Sequence, residues 1–222
     1  MPRIARNFIA DICYHVLNRG NGGATVFHKD TDYRSFLTQM ARACERIEMR
    51  VLAYCLMPNH FHFVLWPHGD RDLSRWMQWL MTSHVRRHHL VHGTHGHIWQ
   101  NRFKAFPIQE DSHLLTVMRY VERNPLRANL VERAEDWPWS SLSRRGEANP
   151  PGMIGSPPMD LPVDWRSFVD RAQTSAELEA LRRSANRGVP FGAESWVREV
   201  AARLGLESTL RPVGRPARDR TG

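Results

Sequence analysis

The chain has 222 residues, 41% hydrophobic and 24% charged, which suits one cored domain with a smaller appendage, and it lacks the run of about 18 apolar residues that a membrane span needs. Lysine and arginine number 31 against 23 aspartate and glutamate, a formal net charge of +8, and such a surplus points to a polyanionic partner, nucleic acid first. Cys13, Cys44 and Cys55 are odd in number, form no Cys-x-x-Cys pair and sit among apolar neighbours; buried free thiols in a reducing cytoplasm are expected, with no secretory signal in the first residues.

In chain order, Phe8 to Leu17 is a β-rich run closed by the glycine-rich Asn18 to Gly23. Asp32 to Glu48 carries apolar residues at helical spacing. Arg50 to Leu56 and Phe61 to Trp66 read as a hairpin around Met57-Pro58-Asn59. A helix is expected over Arg71 to Val91, then a break at His92 to Gly96, then a strand region from Trp99 to Ile108. Asp111 or Ser112 can cap a further helix that runs to about Arg123, where Pro125 limits it. This order predicts an α+β fold, an antiparallel sheet with helices packed on one face. Residues 1–142 form the expected main domain, and 143–163, rich in proline and glycine, a linker. A small helical extension follows over 164–210, opened by a capping box at Thr174 and Glu177 and containing a helix over Glu194 to Leu204. The basic tail 211–222 is expected to be disordered.

Two constellations carry chemistry. His60 and His62 are two apart on a predicted strand, so both imidazoles point to one face while Phe61 points to the other. Imidazoles so placed can share a transition ion such as manganese; two half-buried structural histidines would give the same pattern. Tyr120 lies off the centre of the apolar stripe of its helix, and Asn124, four residues on, shares its face. A phenol becomes a nucleophile at neutral pH only beside a base or a metal-bound phosphate; a packing tyrosine with a wet hydroxyl is the plainer reading. A third grouping, His84, His88 and His92, repeats along one helix face with His89, His95 and His97 nearby. It reads either as a zinc site or, with Arg86 and Arg87, as a solvated basic edge facing DNA.

Taken together, YHVLNRG (14–20), YCLMPNHFHFVLWP (54–67), WQNRFK (99–104), MRYVERNPLRANLV (118–131) and DWPWSS (136–141) resemble the REP-associated tyrosine transposases of the HUH single-tyrosine superfamily. The resemblance is close over about 8–142 and looser through LRRSANRGVPFG (181–192). It implies a ferredoxin-like fold, His60 and His62 as ligands of a divalent metal (Mg2+ or Mn2+), and Tyr120 as nucleophile. Related enzymes often place a glutamine ligand four residues after the tyrosine; Asn124 stands there, with Glu122 as the alternative if the helix is rotated. The implied reaction is cleavage and rejoining of single-stranded, hairpin-containing repetitive palindromic DNA through a 5′-phosphotyrosine, without ATP, in agreement with the absence of a Gly-x-x-x-x-Gly-Lys loop. A nucleoid-associated monomer is implied, with a helix-swapped dimer, as in related enzymes, as the alternative.

Candidate DNA contacts are Arg19, Asn21, Arg102, Lys104 and Arg127 beside the motifs. Arg215, in a Gly-Arg-Pro segment of the tail, can enter a minor groove. Two other classes compete: a non-catalytic DNA-binding protein, which the His pair and Tyr120 argue against, and an RNA-binding sheet with aromatic stacking platforms.

Overall fold

The computed structural model describes residues 8–145 and 153–211. Its core is a four-stranded antiparallel sheet built from β1 (Cys13–Arg19), β2 (Met49–Met57), β3 (His60–Pro67) and β4 (Lys104–Ile108), in spatial order β2-β3-β1-β4. Helix α1 (Asp30–Arg46) connects β1 to β2, and α2 (Asp72–His92) connects β3 to β4. That is the ferredoxin-like arrangement, and α3 (Ser112–Glu122) and the one-turn α4 (Asn124–Arg127) follow it.

Three element starts differ from expectation by more than one residue, each for a local reason. β1 starts at Cys13 rather than Phe8, because Asp11 takes a left-handed φ of 59° and turns the chain into the strand. α1 starts two residues early: the carboxylate of Asp32 accepts the His28 and Lys29 backbone N–H groups at 2.9 and 3.2 Å, capping the helix from inside its first turn. β4 starts at Lys104, because Trp99 and Gln100 instead pair with the end of β1, at Gly20 and Arg19. Gly20 is required there, since a Cβ would collide with the Ala24 carbonyl oxygen.

The α+β class and the antiparallel sheet are those expected, but the helices do not all lie on one face. α1 and α2 bury Tyr33, Phe36, Met40, Trp76 and Leu80 against Tyr14, Val16, Tyr54, Phe61, Phe63 and Leu65. α3 buries Leu114, Val117, Met118 and Val121 against the opposite row, Cys13, Ala53, Cys55, Val64, Phe106 and Ile108. The physical reason is legible in β2 and β3, which are buried at nearly every position. A sheet apolar on both sides must be covered on both.

The C-terminal helices α5 (Trp165–Asp170), α6 (Ser175–Arg187), α7 (Glu194–Leu204) and α8 (Glu207–Leu210) pack on this body. Thr174 and Glu177 form the reciprocal cap that opens α6. Trp165, Val169 and Leu181 join the core under α3, whereas Val200 and Leu204 join the core under α1 and α2. Phe191 exchanges backbone hydrogen bonds with Pro107 and Gln109, so the extension covers the exposed edge of β4. Within the expected linker, the Gly155 N–H donates to the Val51 carbonyl at 2.9 Å on the other edge strand. No helix among the described residues is long and apolar enough to cross a membrane.

Candidate active site

The strand register lays out the α3 face of the sheet row by row. His60 stands opposite Arg19 and Met57, His62 opposite Leu17 and Cys55, and Leu17 opposite Lys104. His15 on β1 stands opposite Val64 and Phe106. Side chains of directly paired residues share a face, so β3 delivers His60 and His62, and β1 delivers His15, to the same surface.

Both rings of the pair are held through Nδ1. His60 Nδ1 lies 2.7 Å from Asn59 Oδ1, and the Asn59 amide nitrogen is itself engaged, donating to the Gly23 carbonyl at 3.1 Å. The atom facing His60 is therefore an acceptor, so Nδ1 of His60 carries the proton and Nε2 keeps its lone pair. His62 Nδ1 lies 2.9 Å from Nε2 of the fully buried His15. Among the described residues no hydrogen bond engages Nε2 of His60 or His62. Burial pushes His15 down to about 3 and His60 to about 4, with the positive charge of Arg127 adding to both and that of Arg19 to His60. His62 is held well below its ordinary value by burial first, then by His15, His60 and Arg127. Neutral imidazole is the ligand form. Two neutral imidazoles on one face, neither engaged at Nε2 among the described residues, fit a divalent transition ion. No group of three or more His, Cys, Asp or Glu among the described residues could hold a metal ion, so any further ligands are amide, water or substrate oxygens.

α3 brings Tyr120 over this surface. Its ring meets His62 edge-on at 5.8 Å and His15 at 6.1 Å between centroids. The Arg127 guanidinium, from α4, lies 4.1 Å from the Tyr120 ring centroid, and its Nη1 donates to the Tyr120 carbonyl at 3.5 Å. No carboxylate pairs with Arg127 among the described residues. The chain has four tyrosines, and Tyr14, Tyr33 and Tyr54 all belong to the core on the opposite face. Only Tyr120 shares a face with the histidine pair. Asn124 is buried, one turn beyond Tyr120. Pro125 does not divert the chain, because the Arg127 and Ala128 N–H groups still bond to the Arg123 and Asn124 carbonyls.

Glu122 is engaged elsewhere. Its Oε1 accepts from Ser141 Oγ at 2.5 Å and from Arg145 Nε at 2.8 Å, and its Oε2 accepts from Trp165 Nε1 at 2.6 Å. The carboxylate is fully buried and ties α3 to the segments that follow it.

Arg19 and Lys104 are exposed on the rows that carry the histidine pair. Asn21 is exposed in the turn after β1, and its N–H donates to the Ile98 carbonyl. Arg102 lines a cavity of about 940 Å³, which lies away from the histidine pair between α2 and the segment before β4. Asn18, Gln78, Arg86, Trp99 and Gln100 also line it, and no carboxylate does. Arg215 lies outside the described residues. The α2 histidines are not a solvated edge: His84 and His88 are buried. His84 packs between Phe27, Phe36 and Trp99, and His92 pairs with Asp32 of α1 at 3.2 Å.

Two features escape reading from sequence alone. His15 has as its only signal an imidazole inside an otherwise apolar strand. The placement of Arg127 on the tyrosine ring follows from helical turns that continue past a proline.

The model of the family described as transposase IS200 like matches residues 8–124, more than half of the chain. A Haemophilus influenzae protein described as a candidate REP-associated tyrosine transposase is 28% identical over 148 residues, 60% of this chain and 84% of that protein. A REP-associated tyrosine transposase of Escherichia coli is 28% identical over 95 residues, 41% of this chain and 53% of that protein. A solved structure of a REP-associated tyrosine transposase bound to a REP hairpin shares the fold, with a TM-score of 0.54 and 20% identity over 70% of this chain and 92% of that one.

Proposed function

Because the chain belongs to the IS200-like transposase family, we propose that it cleaves and rejoins single-stranded DNA beside a hairpin, with Tyr120 as the nucleophile. The observation that carries this reading is the sorting of the tyrosines. Three lie in the core on one side of the sheet, and the fourth faces His62 with an arginine on its ring. The hairpin substrate is suggested by the relative solved with a REP hairpin, and by the basic balance of the chain.

The Tyr120 hydroxyl attacks the scissile phosphorus in line. As the phenol gives up its proton, the new P–O bond joins tyrosine to the 5′ side, the P–O3′ bond breaks, and the 3′ oxygen takes up one proton and leaves as a hydroxyl, so the step is proton-neutral overall. The phosphodiester becomes a phosphotyrosine ester of similar energy, so a second 3′-hydroxyl can reverse the step without ATP. A divalent ion held by His60 and His62, with the Asn124 amide oxygen as a further donor, would supply Lewis-acid charge at the phosphate. Arg127, half-buried and without a carboxylate partner among the described residues, adds fixed positive charge beside the tyrosine, where such a guanidinium favours a phosphate. Arg19 and Lys104 extend that charge along the face, and Arg102 and Arg86 carry it into the 940 Å³ cavity, a path for the strand away from the nucleophile. Asn21 and the Gly22-Gly23 turn let the backbone approach the strand closely. The chain brings His62 and Tyr120 together by itself, which supports a monomer acting in cis, at the nucleoid where its substrate lies.

The test is incubation of wild type and Tyr120→Phe with labelled hairpin DNA and Mn2+ or Mg2+, read on a denaturing gel. A metal-dependent covalent band present in wild type and missing in the variant is expected. Tight binding without any adduct would make the protein a non-catalytic DNA-binding module.

A further inference from the structure

His15 is fully buried on β1, and its only hydrogen bond among the described residues is the 2.9 Å contact between its Nε2 and Nδ1 of His62. Its own Nδ1 is buried without a partner. Its ring is flanked by Phe106 at 4.8 Å and Tyr120 at 6.1 Å, an environment that an aliphatic residue would fill without leaving a polar atom unpaired. A half-satisfied imidazole in that place needs a reason, and the contact with His62 supplies it.

One hydrogen bond joins the two rings, so one nitrogen donates and the other accepts. If His15 donates, the proton of neutral His62 sits on Nε2, and that nitrogen has no lone pair for a metal. If His62 donates from Nδ1, its Nε2 is free to bind. The second arrangement is the one already imposed on His60, whose Nδ1 faces the Asn59 amide oxygen. A metal-bound histidine nearly always donates its other N–H to an orienting acceptor. Asn59 is that acceptor for His60, from the adjacent hairpin turn.

We propose that His15 is the matching acceptor for His62, a positioning residue that holds it in the Nδ1-protonated tautomer and fixes its ring for metal binding. The role rests on the reading of His60 and His62 as metal ligands. His15 itself touches neither metal nor DNA. The same ring also meets Tyr120 edge-on at 6.1 Å, so the tyrosine and the histidine pair share one packed unit.

The measurement is Mn2+ affinity, from the free-ion electron paramagnetic resonance signal, in wild type, His15→Phe, His15→Gln and His60→Ala, each checked for folding by circular dichroism. His15→Phe should weaken binding by about tenfold or more, and His15→Gln, which restores an amide oxygen, should recover part of the loss. His60→Ala should lose binding outright. Should His15→Phe fail to fold, the wild type suffices: 15N NMR with diamagnetic Zn2+ should show both His60 and His62 protonated at Nδ1. Wild-type affinity retained in His15→Phe while His60→Ala loses it, or a metal-bound His62 unprotonated at Nδ1, overturns the role of His15 alone. Absence of Mn2+ binding by the wild type overturns the metal reading itself, and the inference with it.

Discussion

Glu122 and Arg127 lie within two turns of Tyr120 and do opposite work. Glu122 is wholly buried and satisfied by Ser141, Arg145 and Trp165, so its loss leaves the largely buried Arg145 without a counter-charge. Glu122→Ala should therefore lower unfolding stability in urea by about 3 kcal/mol, as breaking a buried ion pair does; a change under about 1 kcal/mol would contradict the structural role. Arg127 has no carboxylate partner among the described residues and lies on the Tyr120 ring. Arg127→Gln should slow adduct formation by about 10²-fold in single-turnover assays, the usual effect of removing one transition-state donor, with little change in melting temperature. Arg127→Lys should not restore the rate, because an ammonium neither stacks on the ring nor forks onto a phosphate. At this scale the sequence is readable where chemistry is local. His60 and His62 are two apart on a strand, and strand geometry alone puts them together. His15 is 47 residues from His62, and only the register of β1 against β3 brings them into contact.

At the level of elements, the expected order of strands and helices holds, and the missing information is which side of the sheet each helix covers. The apolar stripe of α3 says which side of the helix is buried, not which face receives it. The clue lay in β2 and β3, apolar at consecutive positions rather than alternating, which calls for cover on both faces. The α1–α2 layer holds a consequence of the same burial. His84 is enclosed by Phe27, Phe36 and Trp99 and pushed down to about 3, by burial first and then by His88. Folded His84 thus stays neutral where the unfolded chain, near 6.5, takes a proton. The unfolded state binds more protons between those values, so stability is full above about 6.5 and falls as pH drops toward about 3. Each such histidine contributes on the order of 1 kcal/mol per pH unit in that window. Thermal melts from neutral to acid pH should show the decline, and His84→Leu should flatten it; an unchanged slope would mean that His84 is solvated.

Over the whole molecule, the proposed strand path draws on the +8 balance through Arg19, Lys104 and Arg127 on the Tyr120 face and Arg102 and Arg86 at the cavity. Five phosphate contacts on single-stranded DNA give a slope of about −3.5 in log affinity against log salt. Fluorescence anisotropy over a salt series should return that slope, and Arg102→Gln should reduce it by about 0.7; a flat dependence would remove the backbone path. The central claim is that one tyrosine on one face becomes covalently attached to DNA, and it is tested most directly by locating the attachment. After reaction with labelled hairpin DNA, nuclease trimming and trypsin digestion, mass spectrometry should find the nucleotide on the peptide Tyr120-Val121-Glu122-Arg123, released by cleavage after Arg119 and Arg123. A nucleotide on Tyr14, Tyr33, Tyr54 or any other side chain, or no adduct in the presence of metal, would contradict the account.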